Sequence, residues 1–291
     1  MTESLQGHHP YLRAVDGGRG LTSKTRMLAK DTPVIILCGG EGSRIADVSG
    51  GAIPKPLIRI GDKPILWHII KIYEAHGFSN FILALGHLGW EIKDYFLNER
   101  LMDCDFRLDI DGSDRNIEVL SAPSSAKRSI TFVETGEATQ TGERIARCRR
   151  YVDTNYFMAT YGDGVGDVDI AALGKFAVEK GKTGTVTSVT PTGRFGNIEV
   201  SDGTVTGFAE KPDAGGGSIN GGFFVFKREF FDVADKYGDV MLEREPMDDL
   251  VGRRELAAYR HEGFWEPMDT MREYRLLNNM WASGEAPWKV W

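Results

Sequence analysis

Patterns typical of β-strands and α-helices alternate along this chain from residue 33 almost to its end. The first is an apolar, β-branched run over 33–38, which stops at two glycines. A helical spacing of apolar side chains follows Pro64, and another apolar run covers 81–85. Because this order places helices between parallel strands, the sequence predicts an α/β fold with a doubly wound, mainly parallel sheet of Rossmann-like type.

The remaining patterns extend this prediction towards the C-terminus. Further strands are predicted at 130–133, 156–161 and 256–259, and helices at 170–180 and 271–281. The four β-rich pieces between them are short, and several are expected to pair antiparallel beside the main sheet: 184–189, 196–200, 204–210 and 221–226. Residues 100–128 are polar and irregular, which indicates either an inserted lobe or an oligomer contact.

Composition excludes two classes of protein. The 291 residues include 35 Lys+Arg and 42 Asp+Glu, and the resulting net charge of −7 argues against a nucleic-acid-binding protein. No apolar run approaches the ~20 residues that span a bilayer. The N-terminal part lacks the apolar core of a signal peptide, which predicts a cytoplasmic protein. Residues 1–31 are predicted to be a flexible extension, and residues 32–291 a single domain.

The cysteines and histidines point to structural roles. Cys38, Cys104 and Cys148 are odd in number and lack metal-ligand spacing, which is typical of reduced structural thiols. His68 and His76 fall on the first predicted helix and are expected to be packing or surface residues. We find no nucleophile-base triad.

A glycine-rich loop leaves the first predicted strand, where open α/β sheets bind ligands. The loop reads Gly-Gly-Glu-Gly-Ser-Arg over 39–44 and matches neither a dinucleotide fingerprint nor a Walker loop. Its glycines would let backbone N–H groups approach a phosphate, and Arg44 adds a permanent cation. The alternative interpretation of the loop by itself is a plain tight turn.

Three charged residues follow at points where the backbone is restricted or a strand ends. Lys55 lies between two prolines, which suits either a positioned cation or an exposed rigid turn. Asp163 lies between two glycines after a predicted strand and could bind Mg²⁺ beside phosphates, or simply form a turn. Asp269 precedes a predicted helix, where it could be a second metal ligand or an N-cap.

Two later segments offer groups suited to a sugar phosphate. Lys211 lies in Glu-Lys-Pro, and Asn220 precedes Gly221 and a second glycine. A cation, an amide and a closely approaching backbone could hold a phosphate and sugar hydroxyls. A surface β-turn explains either segment equally well in isolation.

Taken together and in order, these motifs resemble the sugar-1-phosphate nucleotidylyltransferases over about residues 33–291. Stretches at 64–70, 160–165, 193–196 and 286–291 are similar, within that family, to the glucose-1-phosphate cytidylyltransferases. The resemblance implies a nucleotide-diphospho-sugar transferase-like fold. It also implies a Mg²⁺-dependent reaction in which a sugar-1-phosphate attacks a nucleoside triphosphate, with CTP and glucose 1-phosphate as the expected pair, and a homo-oligomeric enzyme without nucleic-acid or membrane partners.

The resemblance also implies roles for individual residues. Arg44, Lys55 and Asp163 would be catalytic, and Asp163 and Asp269 would bind the metal. The sugar phosphate would contact Lys211, Asn220 and Gly221. The nucleotide would contact Gly39, Gly40, Glu41, Gly42, Ser43, Arg44, Lys55, Thr139, Arg144 and Gly162.

Four departures from the family pattern bear on the substrates rather than on the chemistry. Ser43 replaces a threonine, the spacer between Arg44 and Lys55 is one residue longer, and Glu143 and Glu266 replace glycine and glutamine. These changes leave open the same reaction with another triphosphate (ATP, GTP, UTP or dTTP) and another sugar or cyclitol phosphate. A non-catalytic nucleotide-sugar-binding protein is the third hypothesis.

Overall fold

The computed structural model describes residues 28–40, 42, 51–111, 114–121, 127–190, 197–201, 204–209 and 217–291. In these residues the strands, in chain order, are β1 (Val34–Cys38), β2 (Arg59–Ile60), β3 (Lys63–Pro64), β4 (Asn80–Leu85), β5 (Asp105–Asp111), β6 (Asp114–Ser121), β7 (Ser129–Glu134), β8 (Tyr156–Tyr161), β9 (Gly164–Gly166), β10 (Gly184–Val189), β11 (Asn197–Ser201), β12 (Thr204–Ala209), β13 (Ile219–Lys227), β14 (Leu256–His261) and β15 (Trp265–Pro267). The helices are α1 (Ile65–Ala75), α2 (Gly89–Met102), α3 (Thr141–Arg147), α4 (Ile170–Lys180), α5 (Phe230–Tyr237), α6 (Glu245–Gly252) and α7 (Met271–Ser283).

Seven strands form the central sheet, in the order β14-β10-β13-β8-β1-β4-β7. Strands β4 and β8 pair parallel with β1, β7 pairs parallel with β4, and β14 pairs parallel with β10. Only β13, among the described strands, pairs antiparallel with both of its neighbours. The predicted mainly parallel α/β sheet is therefore confirmed, with one reversed strand at its centre.

The reversal of β13 changes which of its residues lie near the other strands' carboxyl ends. Six strands of the sheet run in one direction, so their carboxyl ends share one edge, and β13 begins at that edge with Ile219 and Asn220. The sequence analysis expected several of the four short β-rich pieces to pair antiparallel beside the main sheet, and β13 contains one of these pieces. It lies inside the sheet because its continuous apolar stretch, 221–226, is buried throughout.

Two apolar cores cover the two faces of the sheet. Alternate residues of β1 supply them, with Val34 and Ile36 on one face and Ile35 and Leu37 on the other. Helices α1, α4 and α7 pack on the first face, and α3, α5 and α6 pack on the second. The doubly wound, three-layer arrangement follows from this alternation, because each face of a fully covered sheet must be apolar.

The segment predicted to be irregular, 100–128, contains a regular hairpin instead. Strands β5 and β6 form a separate two-stranded antiparallel sheet, with Leu108 opposite Ile117. Phe106, Leu108 and Ile110 alternate with charged residues, and this period-two pattern is typical of a strand. β11 and β12 form another hairpin of their own.

Other sequence predictions concern burial and membrane association. Cys38 and Cys148 are buried free thiols and Cys104 is a half-buried free thiol. Burial raises the pKa of the Cys148 thiol to about 12, as expected for an unreactive core residue. No helix among the described residues is both long and apolar enough to cross a bilayer. The proposed division at residue 31 and the cytoplasmic location stay predictions.

Candidate active site

A cleft of about 440 Å³ opens at the carboxyl edge of the sheet, above β1 and β8. Its described walls are the residues that follow β1, β7 and β8, together with the 3-10 turn Lys55–Leu57 and Asp269. Open α/β sheets bind ligands at this edge because loops from several parallel strands meet there. The predicted site residues that line the cleft are Gly39, Gly40, Gly42, Lys55, Thr139, Arg144, Gly162, Asp163 and Asp269.

The ammonium group of Lys55 lies between two carboxylates at one end of this cleft. Lys55 Nζ donates to Asp163 Oδ2 at 2.6 Å and also to Asp269 Oδ1. The side chain of Lys55 is 12% exposed, whereas the two carboxylates are each about one third exposed. Burial opposes the charge of Lys55, but the two carboxylates outweigh burial and raise its pKa, so the residue stays protonated.

A short strand pair brings the two carboxylates together across more than a hundred residues. β9 pairs antiparallel with β15, so that Gly164 faces Pro267. Asp163 and Asp269 lie just beyond this pair, and Met268 N donates to Asp163 O at 2.7 Å. The pairing therefore determines the distance between the two acids.

Asp269 is not the N-cap of helix α7, which was one of the two roles that the sequence analysis left open for it. Thr270 caps helix α7 in a capping box with Glu273. Glu273 Oε2 accepts from Thr270 N at 2.7 Å and from Asp269 N at 3.0 Å. Because the cap is the next residue, the carboxylate of Asp269 reaches Lys55 in the cleft.

The Asp163–Asp269 pair fits a hard divalent cation by its chemistry. Two carboxylate oxygens from separate segments converge on one positive charge, here the ammonium of Lys55, and hard cations prefer such oxygens. Within the described ranges no group of three or more His, Cys, Asp or Glu side chains could bind a metal. The described part of the chain thus offers two carboxylate ligands for such a cation.

The glycine-rich loop is described only in part. Gly42 adopts a φ of 62°, and a Cβ there would lie 3.0 Å from Lys55 Cβ, which explains the preference for glycine. Three residues with predicted nucleotide contacts, Glu41, Ser43 and Arg44, lie outside the described residues. The predicted sugar-phosphate cation Lys211 lies outside them as well.

Arg144 lies under the floor of the cleft. It is 4% exposed. Its Nη1 donates to Leu85 O, Thr135 Oγ1 and Gly136 O, and its Nη2 donates to Gly39 O and Glu137 O. No carboxylate pairs with it among these partners, and burial lowers its pKa from the usual arginine value. One buried cation thus joins the ends of three strands beneath the site.

Of the predicted residues Thr139, Asn220 and Gly221, only Thr139 belongs to the lining of the cleft. Thr139 lines the cleft and its Oγ1 accepts from Arg147 Nη1 at 3.2 Å. Asn220 Nδ2 donates to Tyr161 Oη at 3.1 Å, so Asn220 borders the cleft through that tyrosine. Gly221 O accepts from Trp265 Nε1 at 2.7 Å.

Tyr161 lines the cleft and Glu243 bonds to it, and the sequence analysis missed both residues. Tyr161 donates to Glu243 Oε1, and Thr141 Oγ1 donates to Glu243 Oε2 at 3.0 Å. Tyr161 could have been identified from its position before Gly162 and Asp163. Glu243 follows no motif, and only the packing of its loop against α3 brings it beside Tyr161 and Thr141.

Glu143, which the sequence analysis considered a possible addition to the base pocket, makes an ion pair instead. Its Oε1 accepts from Arg147 Nε at 2.8 Å, and it does not belong to the cleft lining. Glu266 lies in β15 opposite Val165. The position of Glu143 removes one reason for expecting an altered base preference.

Comparison with known proteins agrees with this geometry. Residues 33–266 match the family model described as nucleotidyl transferase. The glucose-1-phosphate cytidylyltransferase of Salmonella typhi is 42% identical over 262 residues, covering 88% of this chain and 98% of that protein. The enzyme of the same name from Salmonella typhimurium (strain LT2) is also 42% identical over 262 residues.

A solved structure supports the same fold. HddC from Yersinia pseudotuberculosis superposes with a TM-score of 0.62 at 20% identity, covering 86% of this chain and 99% of that one. The likeness at this identity concerns the fold alone, whereas the sequence matches extend to the family. This chain therefore belongs to the nucleotidyl transferase family, as a sugar-1-phosphate nucleotidylyltransferase similar to the glucose-1-phosphate cytidylyltransferases.

Proposed function

We propose that this enzyme transfers the cytidylyl group of CTP to glucose 1-phosphate in a Mg²⁺-dependent reaction that yields CDP-glucose and pyrophosphate. The observation that carries the proposal is the convergence of Lys55, Asp163 and Asp269 at the edge of the cleft. The names of relatives that are 42% identical over most of the chain support this choice of substrates.

In the proposed reaction a phosphate oxygen of glucose 1-phosphate attacks the α-phosphorus of CTP. The bond from the α-phosphorus to the bridging oxygen of the β-phosphate breaks, and pyrophosphate leaves with that electron pair. Such a transfer depends on positioning and on stabilising negative charge, and it needs no protein nucleophile. The lack of a nucleophile-base triad in the sequence agrees with this mechanism.

Lys55 is the residue we expect to stabilise charge at the α-phosphate. Its raised pKa keeps it cationic, and the preceding Pro54 and the following 3-10 turn restrict its backbone. Asp163 and Asp269 would hold Mg²⁺, which when bound would neutralise negative charge on substrate phosphates. Both acids also orient Lys55, since each accepts one of its N–H groups.

We propose the remaining substrate contacts from the residues that form the walls of the cleft. The backbone of Gly39, Gly40 and Gly42 lies where it could approach the triphosphate, and Thr139 and Gly162 lie where they could meet the nucleoside. Arg144 would act mainly by supporting this floor and by its charge, because its guanidinium already donates five hydrogen bonds to protein oxygens.

Asn220 and Gly221 would contact the hexose from the start of β13. Glu41, Ser43, Arg44 and Lys211 keep the roles implied by the family resemblance as predictions.

Pyrophosphate release measured over a matrix of triphosphates and sugar phosphates tests the proposal. The rows are CTP, UTP, ATP, GTP and dTTP, and the columns are glucose 1-phosphate, other hexose 1-phosphates and a cyclitol phosphate. We expect one dominant signal, with CTP and glucose 1-phosphate. A dominant signal elsewhere in the matrix would retain the chemistry and refute the substrates, and silence throughout would favour the non-catalytic hypothesis.

The metal and the assembly need separate measurements. Chelation by EDTA should abolish turnover and added Mg²⁺ should restore it, whereas full activity in EDTA would contradict the metal role of the two aspartates. The homo-oligomer implied by the family resemblance is tested by sedimentation velocity, where a single species at the monomer mass would exclude it.

A further inference from the structure

A second cleft, lined largely by arginines, lies outside the candidate active site. It measures about 520 Å³, and its basic residues are Arg147, Arg149, Arg150 and Arg228. They come from two places, the C-terminal end of α3 with the 3-10 turn after it and the segment that joins β13 to α5. This cleft shares no lining residue with the cleft that contains Lys55.

Two of these arginines are already neutralised by carboxylates. Arg149 bonds to Asp232 Oδ1 at 2.8 Å and to Asp235 Oδ2 at 2.6 Å. Arg147 donates to Glu143, as described above. The acid in the lining, Glu134, pairs with Lys93. Ion pairs within the protein therefore offset the charges of Arg147, Arg149 and Glu134.

The other two arginines have no carboxylate partner among the described residues. Arg150 lies with its Cζ 4.8 Å from the centre of the Tyr151 ring, an arrangement that leaves the edges of the guanidinium able to donate. Arg228 donates through Nε to Val152 O at 3.0 Å, and its Nη atoms bond to no partner among the described residues. Two exposed arginines from separate segments thus line one open cleft.

The anion that suits such a pair carries more than one phosphate group. A guanidinium group matches a phosphate through two parallel N–H···O bonds, and two guanidinium groups from separate segments can each bind one phosphate of a chain. The net charge of −7 opposes binding of a long nucleic acid over a wider surface. The size of the cleft favours a small molecule.

We propose that the Arg150–Arg228 cleft is a second binding site, for a small ligand bearing two or more linked phosphates. Arg147 connects this cleft to the candidate active site. It lines the cleft, and its Nη1 donates to Thr135 O at 2.8 Å and to Thr139 Oγ1 at 3.2 Å. An anion that attracts Arg147 would compete with these two bonds, so occupancy of the cleft would alter the wall that contains Thr139.

Isothermal titration calorimetry with inorganic tripolyphosphate, in buffer without divalent cations, tests the site on the full-length protein. We expect Arg150→Ala/Arg228→Ala to lose one binding event that the wild-type protein shows, or to weaken its Kd at least about tenfold. The same event should persist in Lys55→Ala, which alters only the catalytic cleft. The assay requires no turnover, so its result is independent of the proposed reaction.

Arg107→Ala/Arg260→Ala is the matched control, because it removes two exposed arginines elsewhere and leaves the same net charge. Arg107 is 60% exposed and Arg260 is 78% exposed. Equal loss of binding in both double variants would show that binding depends only on the net charge of the protein, and it would overturn the proposal. So would unchanged binding in Arg150→Ala/Arg228→Ala, or loss of the event in Lys55→Ala alone.

Steady-state kinetics test the connection through Arg147. In the wild-type enzyme we expect a component of tripolyphosphate inhibition or activation that saturating nucleoside triphosphate does not overcome, and we expect Arg150→Ala/Arg228→Ala to lack it. Purely competitive inhibition in both proteins would refute the connection. A change of sedimentation coefficient in the variant without any lost binding event would identify the cleft as a contact between copies and overturn the proposal.

Discussion

The candidate active site and the aromatic cluster around His68 are both built where the C-terminal segment meets the N-terminal half of the chain. In the site, Asp269 bonds to Lys55 as part of an ionic group whose carboxylates are about one third exposed. In the aromatic cluster, Trp288 and Trp281 pack on His68, which is fully buried. Helix α7 joins the two regions, since it begins just after Asp269 and carries Trp281.

The two regions differ in how much each contributes to the stability of the fold. Ion pairs that are partly open to solvent add little to stability, because water screens the charges and the side chains lose entropy. Buried aromatic rings contribute several kcal/mol by apolar burial. We therefore expect substitutions in the site to lower the rate and spare the fold, and substitutions in the cluster to do the reverse.

The largest expected effect is that of Asp163→Asn on turnover. Asparagine keeps the shape of the side chain but removes the charge that would bind the metal, so kcat should fall by about a thousandfold, equivalent to roughly 4 kcal/mol. The urea midpoint should change little. Asp103→Asn is the control, because Asp103 pairs with Lys63 outside the cleft. Near wild-type rates in Asp163→Asn would contradict the assigned role.

Trp288→Ala should have the largest effect on stability. Removing this fully buried ring leaves a cavity in the aromatic cluster, and the free energy of unfolding should drop by about 3–5 kcal/mol. Urea denaturation measures the change, and kcat at low temperature should stay within about twofold of wild type. Trp90→Ala provides the comparison, since Trp90 is 65% exposed and its loss should cost little.

The third prediction concerns the pH dependence of the aromatic cluster. Burial lowers the pKa of His68 to about 4, and the imidazole bonds through Nε2 to Ile60 O at 3.0 Å and accepts at Nδ1 from Trp288 Nε1 at 3.4 Å. The unfolded chain binds this proton near pH 6.5, so below that pH protonation favours unfolding. Stability should fall by roughly 3 kcal/mol between pH 6.5 and pH 4, and the loss should be absent above pH 6.5.

A comparison with His68→Gln isolates this contribution, because carboxylates elsewhere also titrate in acid. The difference in unfolding free energy between wild type and variant should shrink as the pH falls from 6.5 to 4. A difference that is independent of pH would show that His68 does not change its protonation on unfolding.

The smallest expected effect is that of Thr270→Ala, at the junction of the two regions. Losing the capping hydroxyl of α7 should cost about 1 kcal/mol of stability. Because Glu273 still bonds to the backbone of Asp269, kcat should fall less than tenfold. Thr270→Ser should restore both quantities. A loss of rate as large as that of Asp163→Asn would show that the cap itself positions the metal ligands.

Much of the site could be predicted from short stretches of sequence. The glycines after β1, Lys55 between its prolines and Asp163 after β8 all follow from local rules about strand ends and restricted backbones, and the structure brings those that it describes into one cleft. The convergence of Asp163 and Asp269 on Lys55 could be predicted only from family resemblance. It depends on the pairing of β9 with β15, which are separated by about a hundred residues.

Periodicity and turn chemistry in the sequence by themselves determined the seven strands of the central sheet, helices α1, α4 and α7 and the α/β class of this protein, because these properties depend on neighbouring residues. The tertiary structure decided the reversed direction of β13, the burial of Arg144 beneath the cleft, the arrival of Glu243 beside Tyr161 and the regular hairpin formed by β5 and β6. Three of these depend on which distant surfaces pack together, and no local pattern encodes that choice. In the fourth, the hairpin, the alternation of apolar and charged residues is a local strand pattern, and the tertiary structure decides which strand it pairs with.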